Sequence, residues 1–316
     1  MGVFGLTSMA KMRRYELQPQ PCLRLLFAII IALLMETAAC DSSSTSPYTL
    51  DSIRDSLVRQ EDTIIFRLIE RAKFPLNSAT YNESYLPKWC PTCAYKTIAQ
   101  LITWGTEFLQ AKVIGLSLSL LYISPCLFNS LAGRYVNPEE IPLSPYALPL
   151  PLVHPNFSNI LYPPAARVNM NKNISEFYFK QLLPLFVAEG DDGNYAQTAA
   201  ADVLCLQALA TRINDGRIVA ELKYIASPKD YGPAILAKDI NTLMKLLTVP
   251  SVEEMVKKRV EKKTKVFAQD VTLDDNKNTT SKYKVDPTIV RQLYEAYVIP
   301  MTKVVEVEYL LRRLNK

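Results

Sequence analysis

The chain has 316 residues, of which 49% are hydrophobic and only 9 are glycine. This composition allows one large core or two moderate ones, and it lacks the glycine-rich turns of dinucleotide-binding α/β folds. The net charge of +5 comes from 36 basic and 31 acidic residues scattered along the chain, which argues against a nucleic-acid-binding surface. The single histidine, His154, leaves no second imidazole for a histidine-based metal site and argues against a Ser-His-Asp triad. Catalysis would therefore depend on Arg, Lys, Glu or hydroxyl groups.

The N-terminus predicts a targeting segment over residues 1–40. Basic residues precede an apolar run of eleven residues, Leu25 to Met35, which suits a signal-peptide core and is short for a membrane span. A Ser-rich linker follows at 41–47. The segment predicts the secretory pathway or an extracellular location; the alternative is a cytosolic or plastid protein whose start codon has been placed too far upstream. Four glycosylation sequons give weak support to secretion, at Asn82, Asn156, Asn173 and Asn278.

After the linker, helical spacing of apolar residues dominates. Leu50 to Phe74 has an amphipathic pattern, Thr97 to Lys112 is helical by pattern, and prolines between Pro138 and Pro164 predict a loop-rich crossover. No alternating strand pattern is longer than a few residues, so the sequence predicts an all-α, single-domain helical bundle over 48–316. Further helices are predicted at Ile174–Phe186, Thr198–Ile225, Pro233–Leu247, Val252–Phe267 and Pro287–Leu314.

Two segments interrupt this pattern. Cys90-Pro-Thr-Cys93 has a CxxC spacing, but it lacks a partner pair for zinc and a βαβ context, so an incidental loop is favoured over a redox or metal role. Residues 113–131 form an apolar insertion within 21 uncharged residues between Lys112 and Arg134. Its serines and central Pro125 weaken it as a membrane span. We favour a retained intron over an ordinary insertion, and a membrane segment least.

Charged residues on apolar helix faces are the candidates for chemistry, because an unpaired buried charge costs several kcal/mol and is tolerated mainly beside a partner or ligand. Arg212 and Lys223 are eleven residues apart, about three turns or ~16 Å of helix, so one continuous helix would present both on the same face. Thr302 and Glu306 are four residues apart and therefore stacked. Each residue taken singly has a simpler interpretation as a solvated or ion-paired surface group. The remaining candidates of this kind are Arg54 and Glu253.

The sequence around these residues resembles the eukaryotic AroQ-class chorismate mutases of plants and fungi. The resemblance begins with LDSIRDSLVRQEDTIIFRLIERAKF at Leu50 and covers nearly everything from Tyr48 onward except about Leu86 to Leu131. It continues through the ordered motifs LLPLFVAEGDDGNY, CLQALATRINDGRIVAELKY, SVEEMVKKRVEKK and IPMTKVVEVEYLLRRL.

The resemblance implies an all-α homodimer that rearranges chorismate to prephenate without a cofactor or metal, an isomerase of the shikimate pathway in aromatic amino acid biosynthesis. It implies that Arg54 and Arg212 bind the two substrate carboxylates with help from Thr302. It further implies that Glu253 takes the substrate hydroxyl and that Lys223 and Glu306 contact the ether oxygen. The alternative is a dimerising helical protein whose catalysis is impaired by the insertion at 113–131.

The regulatory region departs from the family pattern. The family's GDDGNxGS is GDDGNYAQ here, so Ala196 and Gln197 replace a glycine and a serine, while Asn194 and Arg134 of the presumed effector site are kept. The resemblance therefore implies weak or absent regulation by tyrosine and tryptophan.

Overall fold

Helices form almost all of the regular structure. The computed structural model describes residues 48–83, 97–111, 135, 137–143, 160–270 and 282–314. Within those ranges the only β pairing is an isolated antiparallel bridge between Gln269 and Tyr283, and the predicted all-α fold is confirmed. The described helices include none that is long and apolar enough to cross a membrane. Several sequence predictions lie outside the described residues: the targeting segment and linker at 1–47, Cys90 and Cys93, the insertion at 113–131, Arg134, and His154.

Eleven α-helices are found in the described residues, together with a short 3₁₀ turn at Ser78–Tyr81. They are α1 Leu50–Arg71, α2 Ile98–Ala111, α3 Asn171–Phe177, α4 Leu183–Phe186, α5 Tyr195–Asn214, α6 Gly216–Ala226, α7 Pro228–Leu236, α8 Ile240–Leu247, α9 Pro250–Phe267, α10 Pro287–Leu293 and α11 Ile299–Arg313.

Helix α1 begins at a capping box and ends where the chain turns into a proline. The Thr49 side chain accepts from the Ser52 backbone N–H, and the Ser52 hydroxyl accepts from the Thr49 backbone N–H. At the other end, Arg71 donates to the carbonyl oxygens of Phe74 and Pro75. The helix therefore ends three residues before Phe74, the end of the predicted stretch. The residues after Arg71 form a turn whose carbonyl oxygens accept hydrogen bonds from the Arg71 side chain.

Prolines divide two of the predicted helices. The predicted stretch Ile174–Phe186 contains a π-helical turn at 178–182, and the stretch Pro287–Leu314 contains another at 294–298. Each turn is followed by a helix with proline at its second position, Pro184 in α4 and Pro300 in α11. Proline lacks the N–H of an α-helical bond and its ring clashes with the carbonyl four residues earlier, so a wider turn relieves the clash.

Two other predicted helices are also divided. The stretch Thr198–Ile225 separates at Asp215 into α5 and α6, so the prediction that Arg212 and Lys223 share one continuous helix is wrong. The stretch Pro233–Leu247 separates into α7 and α8 because Lys238 adopts a left-handed backbone (φ 52°) and Asp239 caps α8 through the Thr242 N–H. A residue in the left-handed region commonly ends a helix.

The apolar core has two parts. One cluster joins α1, α5, α9 and α10 through residues such as Ile64, Leu209 and Val260. The other joins α6, α7, α8 and α11 through residues such as Leu222 and Leu310. Because α11 contributes to both clusters, its face between them is where charged side chains from several helices meet.

Candidate active site

Five of the six candidate catalytic residues lie on helices that pack around α11. They come from four helices: Arg212 from α5, Lys223 from α6, Glu253 from α9, and Thr302 and Glu306 from α11 itself. Apolar patterning alone left them as separate exceptions, and the fold joins Arg212 to Thr302 and Lys223 to Glu306 by direct contacts, while Glu253 reaches α11 through Lys303.

Arg212 is the most buried cation of the group, with 7% of its surface exposed. Its Nη1 lies 3.5 Å from Thr302 Oγ1, a long contact, and its guanidinium lies 6.0 Å from the Tyr294 ring centroid. Thr302 donates its hydroxyl hydrogen to the Val298 carbonyl at 2.7 Å. Among the described residues, Arg212 Nε has no hydrogen-bond partner although it is buried. A buried guanidinium in this state fits an anionic ligand, because an unpaired buried charge is costly.

Lys223 and Glu306 form an ion pair across α6 and α11, with 3.2 Å between Nζ and Oε2. The Glu306 carboxyl is buried, and this burial raises its pKa above the ordinary value. The positive charges of Lys223, Arg212 and Lys303 oppose the rise in pKa. Burial dominates, so the site favours a protonated carboxylic acid more than a solvated glutamate would.

Lys303 was missed by the sequence reasoning. Its Nζ donates to Glu253 Oε1 at 3.0 Å, which ties α9 to α11, and it also lies 3.4 Å from Thr248 Oγ1. Its place three residues before Glu306, one turn away on the same helix, gave no distinguishing signal, because a solvated lysine would have the same spacing.

Arg54 is not brought into this group. Its side chain is 65% exposed and pairs with Asp51 at 3.0 Å on the first turns of α1. The neighbouring Ile53 is buried, so α1 presents its apolar face to the bundle and Arg54 to its flank.

The charges of the assembled group suit a small dianion. The net charge is +2 when Glu306 is protonated, from three cations and one carboxylate: Arg212, Lys223, Lys303 and Glu253. Within the described ranges, no group of three or more His, Cys, Asp or Glu side chains could hold a metal ion.

The presumed effector residues lie far along α5 from Arg212, at its first turn. Asn194 precedes the helix, donates its N–H to Asp192 Oδ1 at 2.9 Å, and accepts from the Thr198 N–H at 2.9 Å. Ala196 and Gln197 are exposed. Arg134, the fourth residue of this set, lies outside the described residues.

A helical bundle that gathers three cations and a buried carboxyl group of raised pKa around one helix fits an all-α enzyme for a small anionic substrate. The chain is 47% identical over 277 residues to chorismate mutase 2 of Arabidopsis thaliana, covering 87% of this chain and 96% of that protein. It is 43% identical to the cytosolic chorismate mutase 2 of Zea mays, covering 87% of this chain and all of the relative. No protein-family model matches the chain.

Two solved structures have the same fold. One is AtCM1 with tyrosine bound in its allosteric site, at TM-score 0.70 and 40% identity over 87% of this chain and 99% of that one. The other is the Candida albicans chorismate mutase in complex with L-Trp, at TM-score 0.71 and 32% identity over 84% and 91%. The chain belongs to the family of eukaryotic chorismate mutases, and its function is the rearrangement of chorismate to prephenate. The impaired-protein alternative is not favoured.

Proposed function

We propose that the residues around α11 carry out this rearrangement by binding the substrate dianion in a reactive conformation and by stabilising the charge that builds on its ether oxygen. The observation that carries the proposal is the Lys223–Glu306 pair beside the buried Arg212, three groups on three helices. An intramolecular rearrangement needs neither nucleophile nor metal, so positioning and electrostatic stabilisation supply the rate enhancement.

Arg212 would bind one substrate carboxylate, with Thr302 assisting. Its planar guanidinium can pair bidentately with a carboxylate, which fixes the orientation of the ligand as well as attracting it. The Nε without a described partner supports this role, because a carboxylate would supply the missing acceptor.

Arg54 would bind the second carboxylate after leaving Asp51. The pair that it would give up is exposed on both sides, and exposed pairs of this kind contribute about 0–1 kcal/mol. The cost of turning Arg54 toward a dianion is therefore small beside a charge-assisted contact to the substrate.

Lys223 and Glu306 would contact the ether oxygen whose bond breaks. Lys223 donates as a cation, and Glu306 donates a hydrogen bond when it is protonated, which its raised pKa favours. Glu253 would take the substrate hydroxyl, and Lys303 would hold Glu253 in place through their 3.0 Å contact.

The test is turnover of purified protein on chorismate, with Arg212→Ala as the decisive variant. Loss of a charged partner from a buried site is expected to lower kcat/KM by about 30-fold or more, equivalent to 2 kcal/mol or more, while circular dichroism stays unchanged. Arg312→Met is the matched control, since Arg312 lies on the exposed side of α11 and pairs with Glu308. Near-normal activity of Arg212→Ala would remove Arg212 from the site.

The location and assembly of the enzyme are further parts of the proposal. We propose a homodimer of catalytic domains spanning 48–316, active in the cytosol or plastid rather than the secretory pathway. The resemblance supports the dimer, and the relatives include cytosolic and chloroplastic forms. A fluorescent protein fused after residue 47 tests the location, and light scattering tests the dimer. Secretion of the fusion, or a monomer of full activity, would overturn the corresponding part.

A further inference from the structure

A second polar contact joins α6 and α11 close to the Lys223–Glu306 pair. Glu221 Oε2 accepts the Tyr309 hydroxyl hydrogen at 2.6 Å and the Arg313 Nε hydrogen at 2.7 Å. Glu221 is 3% exposed and Tyr309 is fully buried. A buried carboxylate is costly unless it is paired and hydrogen-bonded, so two donors on one helix hold Glu221 of the other helix in a defined place.

Aromatic rings and a backbone group complete this contact. The Arg313 guanidinium lies between two rings, 4.6 Å from the Tyr162 centroid and 5.0 Å from that of Tyr224. The Tyr309 hydroxyl also accepts from the Tyr162 backbone N–H at 2.8 Å. Stacking fixes the plane of a guanidinium, which makes the contact with Glu221 directional. We call Glu221, Tyr309 and Arg313 the brace.

The brace and the catalytic pair use the same two helices. Glu221 precedes Lys223 by two residues on α6, and Tyr309 follows Glu306 by three residues on α11. A helix rises 1.5 Å per residue and moves as a unit over such short spans, so a shift of α6 against α11 at the brace also moves Lys223 against Glu306.

We propose that Glu221, Tyr309 and Arg313 are positioning residues that fix α6 on α11 and thereby set the placement of Lys223 against Glu306. This inference rests on the proposed role of Lys223 at the ether oxygen. In the contacts described above, none of the three residues touches Arg212, Lys223, Glu253, Thr302 or Glu306. Their effect on catalysis therefore passes through the position of Lys223.

The expected signature is a loss of kcat with little change in KM. Lys223 acts on charge that exists mainly in the transition state, whereas the carboxylate contacts of Arg212 bind ground and transition states alike. Tyr309→Phe and Arg313→Met are expected to lower kcat about 10-fold, because a misplacement of about 1 Å can cost ~100-fold. Arg313→Lys keeps the charge and is expected to recover part of the loss.

The pH profile provides a second readout that a purely structural role would not change. The Lys223 cation lowers the pKa of Glu306, so a looser pair lets that pKa rise. The fall of kcat with rising pH is therefore expected at higher pH in Tyr309→Phe and Arg313→Met than in the unaltered protein. Arg312→Met and Tyr297→Phe serve as controls, because Arg312 pairs with exposed Glu308 and Tyr297 bonds to the Asn173 carbonyl.

The deciding experiment is a double-mutant cycle between Arg313→Met and Lys223→Met, with Tyr309→Phe as a second, smaller change in case Arg313→Met folds poorly. If the brace acts through Lys223, Arg313→Met costs less than about 3-fold in kcat once Lys223 is gone. Additive losses, an effect on KM alone, or lower thermal stability with unchanged kcat would overturn the inference. An unimpaired Lys223→Met would instead overturn the proposed role of Lys223, so the two failures are distinguishable.

Discussion

Glu306 combines two opposing influences at one carboxyl group. Burial raises its pKa, while the Lys223 cation, and to a smaller extent Arg212 and Lys303, hold the rise back. An ionised carboxylate would repel negative charge on the ether oxygen, whereas a carboxylic acid can donate to it. The protonated fraction of Glu306 should therefore limit the rate.

We predict that kcat falls as pH rises through the titration of Glu306. The raised pKa moves this fall above the range of an ordinary glutamate, and Glu306→Gln should flatten it at modest cost, because an amide donates at every pH. The measurement is the pH–rate curve of both proteins on chorismate. Superimposable curves, or a glutamine variant without activity at any pH, would show that Glu306 does not have this role.

At the scale of single residues, the motifs indicated Arg212, Lys223, Thr302 and Glu306, and the structure places all four at the same part of the bundle. Lys303 was not predicted, because a lysine beside a motif residue on an amphipathic helix has no pattern that separates a buried partner from a solvated one. Its significance comes from Glu253, which lies 50 positions earlier in the sequence on another helix. A contact of that range is created by the tertiary fold and leaves no local periodicity.

At the scale of elements, Gly216 controls how closely α6 approaches α11. A Cβ at this position would lie 2.9 Å from the Thr302 backbone oxygen and 3.2 Å from its Cγ2. A backbone atom cannot move aside as the end of a flexible side chain can. The added methyl group would therefore displace α11 at Thr302, the residue that contacts Arg212.

We predict that Gly216→Ala lowers the free energy of unfolding by about 1–3 kcal/mol and also reduces kcat/KM. The matched control is Gly105→Ala in α2, where a Cβ meets nothing within 4 Å and no proline follows. That change should be neutral or stabilise the protein by about 0.5–1 kcal/mol, because glycine is the poorer helix former. Denaturant unfolding and kinetics of both variants check the prediction, and an active, stable Gly216→Ala would contradict it.

The helices themselves were largely predictable, but their divisions were not. Apolar spacing located the segments that contain α1, α9 and α11, because each of those helices packs apolar residues at helical spacing into the core. No proline marks the break at Asp215. The neighbouring Gly216 could equally lie inside a continuous helix, and only its packing against α11 distinguishes it. Apolar periodicity continues across that break, since α5 and α6 both contribute to the core.

For the molecule as a whole, the family resemblance assigns the response to aromatic amino acids to the first turn of α5. The relatives of known structure hold tyrosine, phenylalanine or tryptophan. Here Ala196 adds a methyl group and Gln197 a longer side chain where the family pattern has Gly and Ser, and both changes would crowd an effector that approached the backbone closely.

We predict that tyrosine and tryptophan change the rate by less than about 2-fold, below the 5-fold or more of a typical allosteric coupling. The reciprocal variant, Ala196→Gly with Gln197→Ser, should gain a response. The measurement is the initial rate on chorismate across an effector titration for both proteins. Clear inhibition of the unaltered protein by micromolar tyrosine would show that Asn194 and the rest of the presumed effector site suffice.

The stability of the whole molecule should depend on pH through Asp215, at the junction of α5 and α6. This carboxyl group is fully buried, and burial raises its pKa from 3.8 to about 7. Gln60 Nε2 donates to its Oδ2 at 2.6 Å, which opposes the rise, and Glu139 adds to it. Among the described residues, Asp215 Oδ1 and Gln60 Oε1 are buried acceptors without hydrogen-bond partners. A carboxylate here therefore lacks the donors that would offset its burial.

Below pH 3.8 both the folded and the unfolded chain hold this proton, so the free energy of unfolding does not change with pH through this group. Between about pH 4 and 7 only the folded chain keeps the proton, so the free energy of unfolding falls as pH rises, by up to about 1.4 kcal/mol per unit.

Asp215→Asn removes the titration, and its amide group can donate to Gln60 Oε1. The variant should be more stable than the unaltered protein at pH 8 by about 1–3 kcal/mol, with the difference shrinking toward pH 4. Denaturant unfolding at several pH values measures this, with Asp270→Asn, an exposed position, as the control. A stability difference between Asp215→Asn and the unaltered protein that does not vary with pH would mean that Asp215 is ionised in the folded chain throughout the range, and that the α5–α6 junction stabilises a buried carboxylate by contacts other than Gln60.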